Sequence, residues 1–222
     1  GSEKKQLYRT SVAQLDRIFN ELRFNRAVDK REIERIVERI LRSTVESADE
    51  MLAFVLRDER SEASLGLSAV NTAILSILVG ITLKLDQLRL KTLATAALLH
   101  DAGMVKVPDD IISKRTNLNN EELKKMRTHP LYSYQIISKV MGYPEEIGLI
   151  ALQHHERWDG KGYPRKLGEK KISIEARIIT VADAFEAMVK EKPYRNSMIA
   201  YTAMRQLLND NSRRFDSEVL KV

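Results

Sequence analysis

The chain is 222 residues long, 43% hydrophobic and 31% charged, with a net charge of +6. These values exclude a disordered chain and provide enough length for a large core, in one domain or one domain with a helical extension. With no cysteine, disulfides and thiolate metal sites are excluded, and any metal must be held by nitrogen and oxygen atoms.

Glycine and proline are scarce, and helical periodicity dominates from the start. Val12, Leu15, Phe19 and Leu22 recur at the spacing of one helix face. Asp29 with Glu32 forms a capping-box pattern that opens a second helix, in which Ile33, Val37, Ile40 and Thr44 share a face. The segment 3–60 is highly charged and carries no recognisable chemistry. It reads as a helical linker or dimerising hairpin, or simply as packing filler. The composition shifts near Ser61, and a second unit, 61–222, follows. No run of 18 or more apolar residues is free of charges, and the most apolar stretch, Ser68 to Leu83, reads as a buried helix from near Leu67 to Leu85 rather than a membrane span. Another helix runs from near Leu88 into His100-Asp101, where Gly103 breaks it and Pro108 marks a loop. Asn119 with Glu122 caps a helix reaching His129-Pro130. Pro144 suits the first position of a helix that ends at His154-His155. The run Asp159 to Pro164 must be a loop. Helices over about Ile174–Val189 and Met198–Leu208 complete the chain. No period-two run of Val, Ile and Thr is present, so the fold class is all-α.

Gly1-Ser2 reads as a cloning scar on a fragment of a longer protein, no secretory signal is visible, and the expected location is cytoplasmic. The basic charge suits an anionic, phosphorylated partner, although charge alone is better explained by a solvated surface with an excess of lysine and arginine. No basic stripe interleaved with aromatics points to DNA or RNA.

The chain has four histidines: His100, His129, His154 and His155. His100 adjoins Asp101, and His154 adjoins His155. Adjacent residues on a helix diverge by about 100°, so neither pair can face one point, but each can line a pocket wide enough for two ions. Asp183 lies in the apolar run Ile178 to Phe185, where an unpaired carboxylate is costly and needs a cation, hydrogen bonds or an arginine such as Arg177. Singly, each residue has an ordinary structural reading. Together they include every histidine of the chain, and they suggest a metal site.

The order His100-Asp101-x-Gly103, Pro108-Asp109, Lys114, Asn119, Glu122, His129-Pro130 resembles the HD-GYP family. So do the stretch His154 to Pro164, the later Ala176-Arg177-Ile178 and Ala182-Asp183, and Pro193-Tyr194-Arg195. The similarity spans about Ser61 to Val222, and the stretch ending in Gly162-Tyr163-Pro164 is highly specific. The resemblance implies a helical bundle of the HD superfamily with an N-terminal helical extension. It also implies two divalent transition-metal ions, commonly iron or manganese, and hydrolysis of cyclic di-GMP to linear pGpG and GMP. By the same resemblance, His100, Asp101 and Asp183 hold one ion, and Asp101, the catalytic bridge, links it to a second held by His129, His154 and His155. Lys106, Tyr163, Pro164 and Arg195 are the implied substrate contacts. The Gly-Tyr-Pro loop is the implied contact to a diguanylate cyclase, and a homodimer is a further expectation.

Two positions depart from the family pattern. A histidine one helix upstream of His100-Asp101 is replaced, in our alignment, by Ser68, and the lysine after Gly103 by Met104. A serine hydroxyl is a poor ligand for such ions, so the first site is expected to be weak or empty until substrate bridges it. Three functions compete. The first is a cyclic-dinucleotide phosphodiesterase, and the second a module that binds metal, nucleotide or a partner without turnover. The third, a nucleotide phosphohydrolase of the wider HD superfamily, has no need of the Gly-Tyr-Pro stretch.

Overall fold

A computed structural model describes residues 2–56, 63–191 and 213–222, together with 202, 205, 206 and 209. The boundary drawn at residues 60 and 61, most of the helix expected over Met198–Leu208, and Pro193-Tyr194-Arg195 lie outside the described residues; 202, 205 and 206 are helical.

The described residues contain helices and no strand. Helices α1 (Ser2–Arg23), α2 (Lys30–Glu46) and α3 (Ala48–Leu56) precede the long apolar α4 (Leu65–Thr82), which is followed by α5 (Gln87–Leu99). Four shorter helices come next: α6 (Asp109–Ile112), α7 (Asn120–Met126), α8 (His129–Gln135) and α9 (Glu145–Leu152). Helix α10 (Ile174–Glu191) and the single turn α11 (Ser217–Leu220) complete the set. Sequence explains the starts. Asp29 Oδ1 accepts from Arg31 N–H at 3.0 Å. Asn119 and Glu122 form a reciprocal capping box at the head of α7.

Helix α4 is long and apolar enough to cross a membrane by composition alone, with mean hydropathy 1.9, but 61% of it is buried inside the fold. It packs against α1, α2, α3, α5 and α10. The faces read from the sequence are the ones buried: Leu15, Phe19 and Leu22 of α1 and Ile33, Val37, Ile40 and Thr44 of α2. Those apolar side chains join Val70, Ile74 and Ile77 of α4 and Leu93 and Leu98 of α5 in one continuous core. Burial of an aliphatic side chain stabilises by about 1.5–3 kcal/mol, so α1 and α2 contribute to the stability of the helices that carry the histidines.

Several helix ends differ from the sequence expectation, and those of α5 and α9 bear on function. Helix α5 stops at Leu99, and Asp101 opens a 3₁₀ turn over Ala102–Lys106 with φ −101° and ψ 12°. The helix expected from Asn119 to His129 is two helices, because Pro130 has no N–H and is accommodated only in the first turn of a new one. Pro144 stands just before α9 rather than as its first residue, a one-residue difference at a helix end.

Candidate metal centre

His154 and His155 follow the last residue of α9 and lie in a turn. Off the helix, the divergence of neighbouring side chains no longer applies, and both rings reach the same centre, with centroids 4.2 Å apart. Asp101 is likewise freed by the end of α5. Gly103 allows the turn that carries Asp101 to lie against α8. A Cβ at that position would stand 2.0 Å from the carbonyl oxygen of His129 and 2.5 Å from Ser133 N. Gly103 N–H donates to the buried Ser133 Oγ at 2.9 Å.

Ligand-type atoms gather in two groups that share Asp101. One consists of Asp101, His129, His154 and His155, the other of His100, Asp101 and Asp183, and within each group the atoms lie within 4.8 Å of one another. Asp101 Oδ1 is 3.2 Å from Nε2 of both His129 and His154. His100 Nε2 is 3.4 Å from Asp101 Oδ2 and 3.3 Å from Asp183 Oδ1. Arg177, the alternative partner weighed for Asp183, instead pairs with Asp216 at 2.6 Å.

The hydrogen bonds behind these rings test whether a cation fits. His100, His129 and His154 each direct Nδ1 at the backbone carbonyl three residues earlier, Ala97 at 2.6 Å, Met126 at 2.7 Å and Ala151 at 2.6 Å. A carbonyl only accepts, so Nδ1 carries the proton, and in a neutral ring Nε2 is left with a bare lone pair. His129 Nε2 and His154 Nε2 are 3.3 Å apart and both face Asp101 Oδ1, a buried oxygen with no hydrogen-bond partner. Three lone-pair atoms turned toward one another repel unless a cation lies among them. Imidazole nitrogen and carboxylate oxygen are suitable donors for a first-row transition metal, and second Nδ1–H···O=C bonds are the usual support of metal-bound histidine. The residues present fit a metal.

Electrostatics distinguish the two groups. Burial pushes His154 below the ordinary histidine range and His155 well below it, so both rings are neutral. Burial also opposes charge on His100, but the Asp101 and Asp183 carboxylates outweigh it and hold its pKa well above the usual value. Asp101 is buried too, yet the adjacent His100, its own pKa raised, draws the Asp101 carboxyl well below the carboxylate range and keeps it ionised.

The wall beside the second group is the loop after His155. The Tyr163 ring stacks on His155 at 4.9 Å and 13°, and the Arg127 guanidinium lies 5.2 Å from the Tyr163 ring centroid. Gly162 is held against the backbone: a Cβ there would meet the His155 carbonyl oxygen at 2.4 Å. Glu156, 2% exposed, organises the loop by accepting from the backbone of Arg165 at 2.6 Å and Leu167 at 2.9 Å. Trp158 lies beside Arg177, 5.8 Å from guanidinium to ring centroid. Pro164 is exposed. Lys106 Nζ donates to Asn25 Oδ1, between α1 and α2, at 2.5 Å, and Arg195 lies outside the described residues.

Sequence reading missed Thr180 and Arg127. The Thr180 hydroxyl lies 2.8 Å from the carbonyl oxygens of both Ala176, in its own helix, and His154, and so places α10 against the histidine turn. Its only sequence signal is its place three residues before Asp183.

An all-α bundle with His-Asp at a helix end and a histidine pair facing it defines the class. The chain matches the HD domain family over residues 35–219. It belongs to that family, in its HD-GYP branch, and HD domain phosphodiesterases are metal-dependent. It is 36% identical over 154 residues to the cyclic di-GMP phosphodiesterase PdeB of Borreliella burgdorferi, covering 69% of this chain and 40% of that one. It is 37% identical over 140 residues to the cyclic di-GMP phosphodiesterase response regulator RpfG of Xanthomonas campestris, covering 63% of this chain and 37% of that one. The chain thus spans less than half the length of these relatives. Among solved structures, Bd1817, a HDG"Y"P protein from Bdellovibrio bacteriovorus, shares the fold, with a TM-score of 0.77 at 17% identity over 97% of this chain and 68% of that one.

Proposed function

We propose that this chain is a metal-dependent phosphodiesterase that hydrolyses cyclic di-GMP to linear pGpG and then GMP in bacterial second-messenger signalling. The observation that carries the reading is the unpartnered Asp101 Oδ1 facing two imidazole Nε2 atoms at 3.2 Å. Relatives named for cyclic di-GMP hydrolysis support the substrate. Relatives of Vibrio cholerae named as 3'3'-cGAMP-specific phosphodiesterases make that dinucleotide the natural competitor in an assay.

His100, Asp101 and Asp183 would hold one ion and His129, His154 and His155 the other, with one oxygen of Asp101 toward each. Iron or manganese suits this nitrogen and oxygen set. When bound, such ions would lower the pKa of water and offset charge that develops on a phosphodiester. The chain's own residues supply the frame. Three backbone carbonyls fix the rings, and Asp101 stays ionised between them. Tyr163 and Arg127 form a wall with an aromatic face for a guanine base and a cation for a phosphate. Lys106, Pro164 and Arg195 are the remaining substrate contacts on this reading. The exposed end of the Gly-Tyr-Pro loop is the surface for a diguanylate cyclase, segment 3–60 is the route to a homodimer, and the cytoplasm is the location such a substrate requires.

Ser68 and Met104, at the positions of the expected histidine and lysine, favour a second reading: a module that binds ions and nucleotide without turnover. One experiment separates the two. Protein loaded with manganese or iron is incubated with cyclic di-GMP and the products are resolved by chromatography. The enzyme reading expects pGpG from the wild type and a loss of about a hundredfold or more in His154→Ala. Full metal loading with no product establishes the module, and His154→Ala with wild-type turnover refutes the site.

A further inference from the structure

His155 is the exception among the four histidines. His100, His129 and His154 are each held through Nδ1 by a main-chain carbonyl, whereas the His155 ring makes no hydrogen bond among the described residues. It nevertheless belongs to the second ion group, with Asp101, His129 and His154. The terminal torsion of a histidine side chain is soft, and a neutral ring with no hydrogen bond has no preferred tautomer. Something else must aim its lone pair. Among the described residues three rings touch it: His154 at 4.2 Å between centroids, His129 edge-on at 4.9 Å and 88°, and Tyr163 stacked at 4.9 Å and 13°. The two histidines converge on the same centre as His155. Tyr163 is the one ring of the three that is outside the ligand set.

The backbone fixes Tyr163 where it stacks. Its N–H donates to the carbonyl of His155 itself at 3.1 Å, so the residue is attached to the main chain of the ring that it covers. A Cβ at Gly162 would stand 2.5 Å from Arg157 N and 2.6 Å from Glu156 Cα, so only glycine lets the strand of loop before Tyr163 come this close. On its other side the buried Glu156 carboxylate gathers the amides of Arg165 and Leu167. The Arg127 guanidinium, 5.2 Å from the Tyr163 centroid, adds a cation–π restraint. A near-parallel pair at this separation is a favourable aromatic arrangement, and it fixes the plane of the imidazole without using the phenol hydroxyl. We propose that Tyr163 is a positioning residue for the second ion: its ring, laid flat on His155 by the loop, takes the place of the carbonyl tether that the other three histidines possess. The inference rests on the ion centre proposed above and is separate from the substrate contact assigned to Tyr163 there.

Manganese titration of the metal-free full chain, read by calorimetry and electron paramagnetic resonance, tests it without reference to turnover. His155→Ala identifies the second site as the one whose affinity falls. Tyr163→Leu removes the flat ring and is expected to weaken that same site by about tenfold, the lower end for a group that orients a metal ligand. Tyr163→Phe keeps the ring without the hydroxyl and is expected to bind manganese as the wild type does. With His155→Ala already in place, Tyr163→Leu is expected to cost nothing further, because the ligand it orients is gone. Unchanged affinity in Tyr163→Leu overturns the proposal. So does an equal loss in Tyr163→Phe, which makes the hydroxyl responsible, and so does a full additional loss in the His155→Ala background, which marks a general structural role. If Tyr163→Leu does not fold, Tyr163→Met removes the ring with a more adaptable side chain, and the same outcomes decide. Wild-type protein that binds no manganese, or a His155→Ala chain that binds it unchanged, refutes the ion centre itself, an outcome distinct from the failure of Tyr163 alone.

Discussion

His100 and His154 show how one residue type is set to two protonation states a few ångströms apart. Their ring centroids are 4.9 Å from each other, yet the ring between two carboxylates is pushed up and the ring among other imidazoles is pushed down. Metal binding needs neutral rings. Filling the first site therefore expels a proton from His100, and filling the second expels none from His154 or His155. First-site affinity is expected to rise with pH through neutrality by about tenfold per unit, and second-site affinity to stay nearly level above about pH 6.5. Calorimetric titrations in buffers of different ionisation enthalpy measure the proton released. The identities of all six ligand candidates could be read from sequence, because histidine is rare in this chain and Asp183 stands alone in an apolar run. The protonation states could not, since they depend on distances across four helices.

Where helices stop matters here as much as where they run. The period of apolar residues located every helix that carries the site, but the ends of α5 and α9 fell two or three residues earlier than expected. Those residues are Asp101, His154 and His155. Periodicity reports the buried face of a helix and is blind to the last turn, where backbone geometry is set by contacts distant in sequence. The contact at Gly103 is one of these. Gly103→Ala would drive a methyl group into the His129 carbonyl and the Ser133 amide and separate the turn of Asp101 from α8. Overpacking of this kind costs about 1–3 kcal/mol. The expected outcome is a lower denaturation midpoint together with weakened second-site metal binding, measured by chemical unfolding and by metal analysis of the same sample.

Helices α1 and α2 share one core with α4 and α5, and the family match begins inside α2, at residue 35. Sequence separated 3–60 from the rest by its charge. That charge lies on the outer faces, whereas the inner faces carry Leu15, Ile18, Ile33, Ile36 and Ile40, all fully buried. A chain lacking residues 1–46 would expose the apolar sides of α4 and α5 to water. It is expected to lose cooperative thermal unfolding and to associate, as judged by calorimetry and size-exclusion chromatography. A charged surface and a buried stripe coexist on one amphipathic helix, so a shift in composition is weak grounds for a domain boundary.

The tether from Nδ1 to the carbonyl three residues back recurs on three separate segments, and it restricts what chemistry could replace it. Ionised aspartate and glutamate only accept, so they cannot donate to their own main chain while offering a lone pair to a cation. At positions 100, 129 and 154 the protein is thus committed to imidazole, while the side chains of Ala97, Met126 and Ala151 are free to drift, because only their backbone oxygen is enlisted.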